Sequence, residues 1–215
     1  MIDTCLFDLD GTLLDTVDDL LDSVNYALGS FDYELKTKED VRLAVGNGIS
    51  KLMARMLPGG ANDPNFMESI NKFKEFYISI KKSKTHPYDR VVELLSELKS
   101  RNYKIGVISN KFDRACKMQC QSFFNGLVDY AQGEDEYMGI IRKPNPAGVN
   151  KVLEILNSNY KNSIFIGDSE VDIQTAKNAN MPCISVLWGL KSKEFLIQNG
   201  GTIFVNSPLE ILDMV

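Results

Sequence analysis

The sequence predicts an α/β protein: one parallel sheet whose strands are joined by crossover helices, interrupted after its first strand by an all-helical insertion. Three observations carry this. From Tyr88 onward, short apolar runs alternate with helical periodicity, the pattern of a parallel sheet. From Asp15 to Ser83, apolar residues recur at spacings of three and four with no strand candidate among them. The apolar run DTCLFD, Asp3 to Asp8, stands alone ahead of that block.

The elements follow in chain order. After DTCLFD, the helical block contains the segments DTVDDLLDSVNYALGSF, TKEDVRLAV, GISKLMARML and PNFMESINKFKEFYISIKKS. Turn signals at Gly46 to Gly48 and Pro58 to Pro64 separate them. The remaining strand candidates are KIGVIS (Lys104 to Ser109), LVDYAQ (Leu127 to Gln132), SIFIG (Ser163 to Gly167), CISVLW (Cys183 to Trp188) and TIFV (Thr202 to Val205). The simplest topology places residues 1–14 and 86–215 in the sheet domain and 15–85 in a helical domain. Crossings near Leu14 to Thr16 and Lys84 to Pro87 suit a block that rocks as a lid.

Composition narrows the function classes. Of 215 residues, 44% are hydrophobic and 25% charged, the ordinary balance of a globular protein, and no apolar run is long enough to cross a bilayer. The start MIDTCLFDLD carries acids where a secretion signal needs a basic stretch, so a cytoplasmic protein is expected. A net charge of −5 argues against a nucleic-acid or anionic-membrane surface, because phosphate backbones are held by clustered cations. The expected partner is a small molecule, bound by a monomer or a homodimer. Four cysteines without a CxxC pair read as reduced, mostly buried thiols. The single histidine, His86 in THPYD, reads as a turn residue and leaves no Ser-His-Asp triad unless it is itself the base.

In open parallel sheets, ligands bind at the carboxyl ends of the strands. Polar groups of one chemical type gather at those ends here: Asp8 and Asp10, Ser109 and Asn110, Lys143, then Asp168 and Asp172. Asp8 and Asp10 are two apart, so an extended segment points both the same way. Adjacent carboxylates push their protonation equilibria apart, leaving one as a nucleophile and the other as a proton donor. A carboxylate attacks phosphorus only if the charge of the phosphoryl oxygens is offset, and Mg²⁺ with a few oxygen ligands does that. In IGDSEVD, Asp168 suits direct coordination and Asp172 a water-mediated or supporting place. Further donors to the phosphoryl oxygens are the Ser109 hydroxyl, backbone N–H groups near Leu9 and Asn110, and the Lys143 ammonium, framed by Pro144 and Pro146. Taken alone, each of these has a plainer reading: a solvated acidic turn, a Ser-Asn helix cap, a surface lysine.

The set FDLDGT, Ser109-Asn110, KPNP (Lys143 to Pro146) and GDSEVD (Gly167 to Asp172) resembles the haloacid dehalogenase-like superfamily of phosphohydrolases. The helical insertion looks like the cap of its phosphoglycolate phosphatase and phosphoglucomutase branch. The resemblance spans nearly the whole chain and implies a Rossmann-like core with Asp8 as nucleophile and Asp10 as general acid and base. It implies Mg²⁺ on Asp8, the Asp10 carbonyl and Asp168, with Asp172 beside them. EDVRLAVGNGISKLMARML is similar to the phosphoglycolate phosphatase cap pattern, which makes Arg42, Gly46, Asn47, Lys51 and Arg55 candidates to face the leaving group. The expected activity is a Mg²⁺-dependent phosphatase on a small monoester, phosphoglycolate first. Rival readings are a sugar phosphomutase, a pyrophosphatase or nucleotidase, and a phospho-aspartate switch of the receiver type.

Overall fold

The computed structural model describes residues 2–80 and 83–215. The expected continuation of the fourth helix through Lys81 and Lys82 lies outside the described residues. The chain divides into two compact units, Met1–Asp15 with Pro87–Val215, and Thr16–His86.

The first unit is built on a six-stranded sheet of β1 (Thr4–Phe7), β2 (Lys104–Phe112), β3 (Tyr130–Glu134), β4 (Ser163–Gly167), β5 (Cys183–Val186) and β6 (Ile203–Val205). The spatial order is β3-β2-β1-β4-β5-β6, and every pairing is parallel. All four residues of β1 are buried, as a central strand covered on both faces requires. Phe7 lies opposite Val107 on one side and Ile166 on the other. The carboxyl ends of β1, β2 and β4 are therefore neighbours. The chain extends outward from β1 through β2 and β3 and then returns to β4 on β1's other side. That reversal opens the crevice where ligands bind in such sheets.

Alternation along the strands sends side chains into two cores. Cys5 and Phe7 join Val91, Leu94, Leu95 and Leu98 of α5 (Val91–Ser100) and Cys116, Cys120 and Phe124 of α6 (Asp113–Phe124). Leu6 and Phe165 join Val149, Val152 and Leu153 of α7 (Ala147–Ile155) and Ala176 of α8 (Glu170–Asn178). A Cβ on Gly106 would come within 2.5 Å of Val152 Cγ1, so this position of β2 admits only glycine beneath α7.

Three strands differ from the sequence reading by two residues or more. Leu127 and Val128 precede β3 rather than belong to it. Their N–H groups donate to Phe124 O, and their side chains pack on the core from a turn. β2 runs on past Ser109 to Phe112, with a register shift against β3 between Ile108 and Phe112. Ser109 and Asn110 are thus strand residues and not caps of α6. β5 ends at Val186, before Trp188.

The second unit contains α1 (Val17–Gly29), α2 (Lys38–Ala44), α3 (Ile49–Met56) and α4 (Phe66–Ser79). Thr37 and Asp40 form a capping box at the start of α2. Tyr26 of α1 stacks on Phe76 of α4 with ring centroids 4.4 Å apart. Asp19 of α1 is only 2% exposed. Its carboxylate accepts from Lys84 N at 2.9 Å, Thr85 N at 3.1 Å, Thr85 Oγ1 at 2.6 Å and the Ser83 hydroxyl. Burial pushes this carboxyl up, but the Ser83 and Thr85 hydroxyls and the two backbone donors outweigh it and hold it below the usual carboxylate range.

Asp19→Ala leaves these buried donors unpaired and is expected to cost about 2 kcal/mol in urea unfolding followed by circular dichroism. Because the folded carboxyl is the stronger acid, its contribution is present above the unfolded value of about 4 and is lost as pH falls through the folded one. Asp19→Asn should flatten that part of the acid unfolding curve; an unchanged slope would contradict the assignment.

Candidate active site

Asp8 leaves the end of β1 with its N–H donating to Ile166 O at 2.9 Å. The chain then turns tightly: Leu13 and Leu14 N–H donate to Leu9 O, and Gly11 has φ +88°. Beyond the left-handed φ, a Cβ on Gly11 would come within 2.5 Å of Asp168 Oδ2. Asp168 follows β4, accepting from Thr12 Oγ1 at 3.2 Å and Leu190 N at 2.8 Å. Gly189 packs on it so closely that a Cβ there would lie 2.3 Å from Asp168 Cβ.

Lys143 is buried, and its ammonium lies 2.8 Å from Asp8 Oδ1 and 2.6 Å from Asp172 Oδ1. It sits over the Phe165 ring at 5.5 Å. Asn110 holds the lysine's backbone from both sides: Oδ1 accepts from Lys143 N at 2.6 Å, and Nδ2 donates to Lys143 O at 3.2 Å. The second Asp172 oxygen accepts from Ser169 N at 3.1 Å and Ser169 Oγ at 2.6 Å, which also caps α8. Both oxygens of Asp172 are therefore engaged.

Carboxylate oxygens of Asp8, Asp168 and Asp172 lie within 4.8 Å of one another, all buried. Burial and then the Asp172 charge push Asp8 well above the usual carboxylate range, with Lys143 opposing. The same two causes raise Asp168 to about 7. Burial alone would weaken the charge on Lys143, but Asp172 and Asp8 outweigh it and raise the lysine. Three acids facing one ammonium leave negative charge uncompensated. Asp8 Oδ1, in ion contact with Lys143, has no partner in hydrogen-bond geometry. An all-oxygen donor set with more acids than the one ammonium beside it offsets fits a hard divalent cation such as Mg²⁺.

Asp10 is set apart from this cluster. Both of its oxygens accept from Lys111 Nζ, at 2.8 and 3.0 Å. Ser109, buried at the end of the sheet, accepts from Lys111 N through Oγ at 3.2 Å. Lys111, Thr12 and Gly189 escaped the sequence reading. Lys111 had a usable signal: had the strand been extended two residues, its side chain would have shared a face with Ser109. Trp188 also takes part, donating from Nε1 to Thr12 O at 3.0 Å.

The remaining candidates lie in the helical unit. Arg42 on α2 is bound by Glu39 through two contacts of 2.7 Å. Gly46 turns the chain at φ +113°, and Asn47 follows it in the turn before α3. Lys51 is exposed on α3, and Arg55 donates to Ala44 O at 2.7 Å. His86 is exposed, and all four cysteines are free. No helix among the described residues is long and apolar enough to cross a membrane.

A parallel sheet with buried acids and a lysine at the carboxyl ends of its central strands defines an α/β enzyme of the phosphatase class. The chain belongs to the haloacid dehalogenase-like hydrolases, whose family model matches residues 5–186. It is 30% identical to a phosphoglycolate phosphatase of Aquifex aeolicus over 185 residues, covering 86% of this chain and 84% of that protein. It is 28% identical to the pyrophosphatase PpaX of Bacillus cereus, covering 91% and 88%. A crystal structure of a candidate phosphoglycolate phosphatase from Lactobacillus delbrueckii superposes with a TM-score of 0.91 at 29% identity, covering 99% and 97%.

The crowded acids yield a stability test. With a folded value raised to about 7, Asp168 stabilises the metal-free fold below the unfolded carboxylate value of about 4 and loses that contribution as pH rises through 7. In EDTA at pH 8, Asp168→Asn is expected to raise Tm by a few degrees above wild type and to abolish the Tm increase on adding Mg²⁺. A lower Tm in EDTA, or an undiminished Mg²⁺ response, would refute the crowding account.

Proposed function

We propose that the protein is a Mg²⁺-dependent phosphatase that hydrolyses a small phosphate monoester, with 2-phosphoglycolate as leading substrate, through an aspartyl phosphate on Asp8. The observation that carries this is Asp8 itself. It is buried at the end of the central strand, it is held 2.8 Å from the Lys143 ammonium, and Asp10 is two residues on.

An Asp8 carboxylate oxygen attacks phosphorus, and the bond to the ester oxygen breaks with its electron pair leaving on that oxygen. Asp10 delivers a proton to the departing alcohol. Asp10 then takes a proton from a water that attacks phosphorus, and the acyl phosphate bond breaks to return free Asp8 and inorganic phosphate. Lys143 and the Ser109 hydroxyl offset charge on the phosphoryl oxygens. Asp172, engaged at both oxygens, positions Lys143, and Asn110 does so through its backbone. Asp8, Asp168 and the Asp10 carbonyl would hold Mg²⁺, which supplies the positive charge that lets one anion approach another.

Recognition of the leaving group is assigned to Arg42, Gly46, Asn47 and Lys51 within a cap spanning 15–85, on the resemblance of that segment. Four free cysteines support a reducing, cytoplasmic setting. The Bacillus cereus relative supports pyrophosphate as the second substrate to test.

Multiple turnovers on p-nitrophenyl phosphate with Mg²⁺ are expected, with kcat/KM across a panel ranking 2-phosphoglycolate first. Asp8→Asn should abolish turnover with an unchanged circular dichroism spectrum. Asp10→Asn should lower kcat/KM roughly 10²- to 10⁴-fold on alkyl phosphates and less on p-nitrophenyl phosphate, whose leaving group needs no proton, while kcat falls on both through slow hydrolysis of the acyl phosphate. Substantial turnover by Asp8→Asn would exclude the covalent route.

A further inference from the structure

We infer that Lys111 is a specificity-determining residue that selects phosphate esters carrying a second anionic group on the leaving alcohol. The inference rests on the phosphatase reading above.

The Lys111 side chain is 4% exposed, and its ammonium is bonded to both oxygens of Asp10. Asp10 is the group that meets the ester oxygen, so the lysine bound to it stands on the leaving-group side of the phosphorus. Lys143 is instead paired with Asp8 and Asp172. The two buried ammonium groups therefore serve different ends of a substrate.

To act as the acid, Asp10 must carry a proton on one of its oxygens, and a neutral carboxyl no longer offsets the charge of the ammonium that binds it. A buried ammonium that loses an anionic contact pays heavily unless another anion replaces it. A carboxylate or second phosphoryl group one or two atoms beyond the ester oxygen reaches that position, whereas a neutral alcohol does not. A second anion on the substrate thus exchanges with Asp10 as the partner of Lys111, releasing the acid at the moment its leaving group arrives. The strand extension through Phe112 makes this placement possible. The Lys111 N–H donates to Ser109 Oγ at 3.2 Å, which ties the lysine's backbone to the serine at the end of the sheet.

The test compares 2-phosphoglycolate with its carboxamide, phosphoglycolamide, which keeps size and ester but removes the second charge. Wild-type enzyme should favour the carboxylate by about 10- to 100-fold in kcat/KM, the factor carried by one charge-assisted hydrogen bond. Lys111→Met should collapse that ratio toward one, even though turnover of both compounds falls through Asp10, and Lys111→Arg should restore it. Equal rates for the two compounds with the wild-type enzyme would overturn the inference and leave the phosphatase reading standing, as would a ratio that survives in Lys111→Met. The wild-type comparison decides even if the methionine variant does not fold. Absence of turnover on every phosphomonoester would remove the phosphatase reading and this inference with it.

Discussion

The ammonium of Lys143, wedged between Asp8 and Asp172, is the contact on which the rest of the site depends. Removing it would leave buried carboxylates facing one another across a few ångströms, an arrangement relieved only by protonating some of them or by another cation. The surroundings serve to keep that ammonium in place. Asn110 grips the lysine's backbone, Asp172 is anchored by Ser169, and the Phe165 ring lies beneath the charge. Asn110 comes from β2, and Phe165, Ser169 and Asp172 from β4 and the start of α8, which is why the site exists only when β2 and β4 both stand beside β1 in register.

Close backbone approach supplies the second constraint. Gly11, Gly167 and Gly189 surround the acids where any side chain would collide: with Asp168 at Gly11 and Gly189, and with Asp172 at Gly167. The loops after β1, β4 and β5 are thereby drawn against one another. Their backbone donors, Leu190 N among them, reach carboxylates that burial would otherwise neutralise. The acids are held in an arrangement that is electrostatically unfavourable without a cation. The two buried lysines divide the acids between them: Lys143 pairs with Asp8 and Asp172, and Lys111 with Asp10.

Much of the fold was legible because a parallel sheet writes itself as short apolar runs separated by helical periodicity. SIFIG coincides with β4, and the helical block resolves into four helices within the segments expected. Leu127 and Val128 misled because an apolar turn packed on a core reads like a strand. The reach of β2 to Phe112 was hidden because Ser-Asn-Lys is polar, and polar residues are buried in a strand only when partners from elsewhere satisfy them.

By itself the sequence determined the order of the strands along the chain, the insertion after the first of them, and the polar residues at each strand end. These are local properties, set by periodicity and by residue type. Only the tertiary structure decided that β1 lies between β2 and β4, that Asp8, Lys143 and Asp172 meet across 2.6–2.8 Å, and that Asp10 belongs to Lys111. Partners separated by 29 to 135 residues are chosen by strand order and register, and no short window of sequence contains that information.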